Sequence, residues 1–162
     1  MFDRLVKTGN DPGLTILRLV LGTIFFAHGA QKMLGWFGGP GFSGTMREFT
    51  QQMGIPSILA FLAIAAEFFG ALGLIVGLFS RIAVLGIMTV MGVAIAKVHA
   101  PYGLFMNWAG TQQGEGFEFH LLVIAVGVAL LINGSGPLSI DRLLSRSHGA
   151  GRARGREEKR AA

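Results

Sequence analysis

Apolar residues run along this chain in four long blocks, at roughly residues 13–33, 57–78, 81–99 and 117–133, separated by polar or glycine-rich stretches. A helix that spans a bilayer needs about 20 mostly apolar residues, with a range of about 17–25. Backbone groups in lipid must also find their partners within the segment. The pattern predicts four membrane-spanning α-helices, the fourth at the short end of the range. Soluble core helices would need polar surface to cover them. The chain does not supply it: 14% of its 162 residues are charged and 51% are hydrophobic, against about 25% charged in an average soluble protein. The expected fold is all-α, an integral membrane four-helix bundle over residues 1–144. A basic tail follows at 145–162, too poor in apolar residues to order itself. The first block is read as a retained helix rather than a cleaved signal peptide. Arg18 interrupts it, and no convincing small-residue cleavage site follows.

Charge sets the expected orientation. Arg4, Lys7, Arg81 and the tail residues Arg142, Arg146, Arg152, Arg154, Arg156, Lys159 and Arg160 fall on one side. The opposite loops, roughly 34–56 and 100–116, carry only Arg47, with Lys32 and Lys97 at the adjoining helix ends. Basic loops stay in the cytoplasm, so both termini are expected inside a bacterial-type plasma membrane. Trp36, Tyr102 and Trp108 lie in the two outer loops, where aromatic residues favour the interface. The net charge of +5 is concentrated in the tail rather than spread over a face, so nucleic acid is not an expected partner. The tail is read first as a topology signal and, more sharply, as a contact for anionic headgroups.

Ionisable groups inside membrane helices are costly and are functional candidates by default. His28, Gln31 and Lys32 stand at i, i+3 and i+4 and share a face near the outer end of the first helix. Lys97 and His99 close the third helix, and Glu118 and His120 open the fourth, at the same level. Glu67 lies ten residues into the second helix, about 15 Å along its axis. It sits in a small-residue stripe of Ala60, Ala63, Gly70, Ala71 and Gly77 that marks a close helix approach. The ligand-binding or proton-relay candidates are therefore His28, Gln31, Lys32, Glu67, Lys97, His99, Glu118 and His120, gathered in the outer half of one bundle. Arg18 is the expected structural partner of Glu67, reaching up from below. Residues two apart on a helix point to nearly opposite faces, so which of Lys97/His99 and of Glu118/His120 turns inward stays open.

These residues resemble the DoxX family of small four-helix membrane proteins. The carrying motifs are "LRLVLGTIFFAHGAQKM", "AEFFGALGLIVGLFSR", "AIAKVHAPYGLF", the acid-x-His of "FEFH" and a closing "GPLSIDRLL", spread over residues 13–144. The resemblance implies a membrane component of an oxidoreductase system, in some members quinone-linked. It implies the same polar pattern at Arg18, His28, Lys32, Glu67 and His120.

Three functions follow. The first is a quinone-linked oxidoreductase subunit: apolar walls, aromatic neighbours, His and Lys donors and an acid suit a quinone. The chain has no dinucleotide fingerprint and no cysteine, so electrons would come through a redox partner protein, and thiol chemistry is excluded. "GWFGGPGFSG" lacks the Lys-Ser/Thr ending of a phosphate loop. The histidines lack diagnostic haem spacing, and no metal site is expected. The second function is a non-catalytic scaffold that assembles a redox partner. The third is a small transporter with Glu67 as proton relay, which with so few helices would work as a homo-oligomer.

Overall fold

The computed structural model describes residues 5–147, so most of the basic tail expected to lack order at 145–162, namely 148–162, lies outside the described residues. The described residues are helical, with no strand. Helix α1 spans Pro12–Leu34, α2 Gly41–Arg47, α3 Ser57–Val76, α4 Ser80–Ala94 and α5 Glu118–Asn133. A last helix, α6, occupies 140–147, so the start of the expected tail is ordered. Helix α4 continues through a π-helical turn at Ile95–His99 and a 3₁₀ turn at Ala100–Tyr102.

Local chemistry sets these limits. The Asp11 side chain accepts the Gly13 N–H at 2.8 Å, and Pro12 occupies the first turn of α1. Gly35 (φ 73°) and Gly77 (φ 71°) end α1 and α3 in the left-handed conformation, with their N–H groups returned to the last turn. Only residues 77–79 join α3 to α4, so the two helices are antiparallel neighbours. Helix α5 is 16 residues long, shorter than expected. The loop before it is held by Phe117 N–H donating to Gly103 O (3.2 Å) and Glu118 N–H to Leu104 O (2.9 Å). Those two bonds keep the backbone out of the helix until Glu118.

Helix α1 packs on α3, α3 on α4, α4 on α5, and α5 back on α1. Between them lies a core of Leu14, Leu21, Phe25, Leu74, Val84, Ile87, Met91, Val123 and Leu130. The outside is apolar as well: Ile16, Leu62, Phe69, Leu85 and Leu122 are all exposed. Among the described residues three segments are long and apolar enough to cross a membrane, Pro12–Leu34, Ser57–Val76 and Ser80–Tyr102. An apolar exterior on such helices has no use in water and suits lipid.

One end of the molecule, the terminal end, carries Pro12, Val76, Ser80 and Asn133. The other, the loop end, carries 35–56 and 103–117. The first of these loops holds an element the hydrophobic pattern did not announce. Helix α2 and a π-helical turn at Glu48–Gln52 lie over the end of α1, with the buried Thr45 hydroxyl donating to Lys32 O at 3.3 Å.

Candidate functional site

The buried charges separate into two groups at the loop end and a third at the terminal end. At the loop end, Lys32 Nζ donates to Glu67 Oε2 at 2.6 Å, and this is the ion pair seen among the described residues. The Glu67 side chain is 4% exposed and that of Lys32 23%, so the pair is open on the lysine side only. Gly29 sets this register. A Cβ there would lie 2.6 Å from Phe68 Cα and 2.8 Å from Glu67 C, so only glycine lets the two backbones touch at this level. His28, one turn before Lys32, is exposed beside the Phe25 ring, with centroids 6.2 Å apart. It borders the pair from outside rather than lining the bundle as expected. Gln31 serves the loop: its amide Nε2 donates to Phe37 O at 3.5 Å. Gly39 packs so closely on Gln31 that a Cβ would lie 2.6 Å from Gln31 Cα. The glycines after the polar turn are thus needed for contact as well as for turning.

The second loop-end group joins α4 and α5. The His99 and His120 rings lie 4.1 Å apart, tilted by 44°. His99 Nδ1 is 2.8 Å from Glu115 O. A carbonyl can only accept, so Nδ1 carries the proton and Nε2 of the neutral ring keeps its lone pair. His120 is buried, and its Nδ1 has no hydrogen-bond partner. The π-helical turn shifts the helical phase and brings His99 to α5, while Lys97 stays exposed. Glu118 turns to the loop instead, accepting from Met106 N–H (3.0 Å) and Trp108 Nε1–H (3.2 Å). The open question about both pairs is therefore resolved: the histidines meet, and Lys97 and Glu118 do not join them. No hydrogen bond or ion pair among the described residues links this group to Lys32–Glu67, so the expected single cluster is two.

The expected Arg18–Glu67 contact is not formed. Arg18 lies 11 residues from Gly29, about 16 Å along α1, and Gly29 is level with Glu67. Arg18 faces the end of α3 instead and is 1% exposed. Its guanidinium donates to Leu74 O, to Ile75 O and Leu138 O (2.7 Å each) and to Ser135 O (3.0 Å). A cation among the last carbonyls of a helix satisfies both the orphan acceptors and the helix dipole. Arg81 does the same for α5, donating to Leu131 O (2.8 Å) and Ile132 O (3.0 Å).

Asp141 completes the terminal end and was not singled out by the sequence reading. It is 1% exposed and accepts from Phe79 N–H (2.8 Å), Ser80 N–H (3.1 Å) and the Ser135 hydroxyl. It caps α4 from a segment more than 60 residues away in sequence, which no local capping signal could announce. The available signal was an acid inside the otherwise apolar "GPLSIDRLL". Among the described residues no group of three His, Asp or Glu side chains is placed to hold a metal ion.

A family model described as DoxX matches residues 13–100. A Bacillus subtilis (strain 168) protein named "Putative oxidoreductase CatD" is 34% identical over 131 residues, covering 80% of this chain and 84% of the relative. An Escherichia coli (strain K12) protein named "Inner membrane protein YqjF" is 26% identical over 141 residues, covering 87% of this chain and 98% of the relative. No solved structure matches.

Proposed function

This chain belongs to the DoxX family of membrane proteins, and from that premise we propose that it is the membrane subunit of a quinone-linked oxidoreductase system. In this reading α1, α3, α4 and α5 form a four-helix bundle across a bacterial plasma membrane, with both termini in the cytoplasm. The observation that carries the reading is the Lys32–Glu67 pair, with its acid buried, its base part-exposed, and the exposed His28 one turn away. The relative's name, with the word oxidoreductase in it, lends support.

The donor set fits a quinone. An ammonium has three N–H groups, and Glu67 takes one from Lys32, leaving two for a carbonyl oxygen. His28 supplies an imidazole on the same side, facing where a lipid-soluble ring would arrive. Bound quinone would supply two-electron, two-proton chemistry between carbonyl and hydroxyl forms. The chain's own part is to orient the carbonyl through Lys32 and to hold a proton on Glu67 or His28 as charge changes. Electrons come from a partner protein, since the sequence has neither a dinucleotide loop nor a cysteine.

The test is extraction of quinone from gently purified protein in lipid nanodiscs, beside Glu67→Gln and His28→Ala. Stoichiometric quinone in the parent, lost in the folded variants, is the expected result. A folded parent without quinone would sink the reading. One observation favours a second reading, a scaffold for a redox partner: Arg18, Arg81 and Asp141 all spend their charges on backbone groups. Partner complexes unchanged by Glu67→Gln would support it.

A further inference from the structure

The segment after α5 folds back over the terminal end and is bolted there. Arg18 holds Ser135 O and Leu138 O, Asp141 N–H donates to Gly77 O at 2.8 Å, and the Asp141 carboxylate caps α4. A third tie runs from Arg142, which donates to Gly9 O (3.3 Å) and to Asn10 Oδ1. The backbone of this strap is fixed where α1 begins and α3 ends. Its outer face is the opposite of a soluble surface. Leu138 is 77% exposed, Leu143 65% and Ile140 37%, and no described residue covers them. Arg146 is exposed on the same short helix. The chain beyond it adds Arg152, Arg154, Arg156, Lys159 and Arg160 against Glu157 and Glu158. The acid within α6, Asp141, is buried in its cap and offers no charge outward.

Exposed leucines beside arginines, at the end of membrane-length helices, have the composition of a helix that lies in a headgroup layer. The basic excess selects the sign of that layer. We infer that the 138–147 strap is a docking surface for anionic lipid headgroups, with Leu138 and Leu143 inserted among the acyl chains, Arg146 at the phosphates, and the basic residues that follow in the sequence adding positive charge.

The chain has no cysteine, so a single spin label at Leu143→Cys reports on this face in the full-length protein. Its position is exposed, and an unchanged melting curve confirms the fold. The label is read in nanodiscs of phosphatidylcholine with increasing phosphatidylglycerol, against oxygen and a water-soluble nickel chelate. The expected result is a label open to oxygen and protected from nickel as anionic lipid rises. In a companion carrying Gln at 146, 152, 154, 156, 159 and 160, the ratio of protected to open label at a fixed anionic fraction should fall by at least about fivefold, the effect of roughly one basic residue at a charged surface. A label open to nickel at every composition would overturn the inference. So would protection independent of lipid charge. A label shielded from both reagents would overturn it in favour of a second copy of the chain on this face.

Discussion

Gly29→Ala is the sharpest test of how α1 and α3 bring Lys32 to Glu67. The added methyl would sit 2.6 Å from Phe68 Cα and 2.7 Å from Phe68 N. Those atoms are helix backbone, so no rotamer change relieves the clash. Reaching an ordinary contact of 3.4 Å requires the helices to part by about 0.8 Å. Overpacking of this kind costs about 1–3 kcal/mol, and the movement also lengthens the 2.6 Å ion pair. Gly92→Ala is the matched control. It makes the same substitution on α4, with no atom within 4 Å of the new methyl. Relief of glycine's entropy cost should stabilise it by roughly 0.5–1 kcal/mol. Reversible unfolding of both variants in mixed micelles reads the difference. Opposite signs are expected. A Gly29→Ala protein as stable as the parent, or a Gly92→Ala protein equally damaged, would refute the packing argument.

The Lys32–Glu67 pair should show coupling in a double-mutant cycle. Lys32→Met alone leaves a buried carboxylate unpaired and should cost about 3–5 kcal/mol, while the Lys32→Met/Glu67→Gln double variant should recover a large part of that; additive losses would count against a direct pair. Exchanging the charges as Lys32→Glu with Glu67→Lys should restore folding better than either single change, whereas Arg18→Glu with Glu67→Arg should not, because Arg18 binds carbonyls that a carboxylate would repel; rescue by the second exchange would contradict the observed register. Asp141→Ala strips the acceptor from the buried Ser80 N–H and Ser135 hydroxyl, at about 1–3 kcal/mol for each group left without a partner. Asp141→Asn keeps one oxygen and should cost less, as thermal melts of the two would show; equal losses would mean that the cap is not what Asp141 provides.

The hydrophobic blocks announced four apolar helices, three of them long enough to cross a membrane and the fourth shorter, because a long apolar run has few alternatives. The turn chemistry of Asp11-Pro12 and Gly77 was also visible locally. Helix α2 was not: its short run of Gly, Ser and Thr looks like loop, and it is helical because it packs on the end of α1.

The sequence by itself determined that a carboxylate at position 67, among small apolar residues, must either stay protonated or have a partner cation. It could not determine which cation. That choice depends on how far α3 slides along α1, and Gly29 against Phe68 sets it in favour of Lys32. In the same way the chain showed two histidines near helix ends, and a π-helical turn decided that they meet. Composition and periodicity record what each segment must bury. Register between segments is a property of their contacts, and only the packed structure holds it.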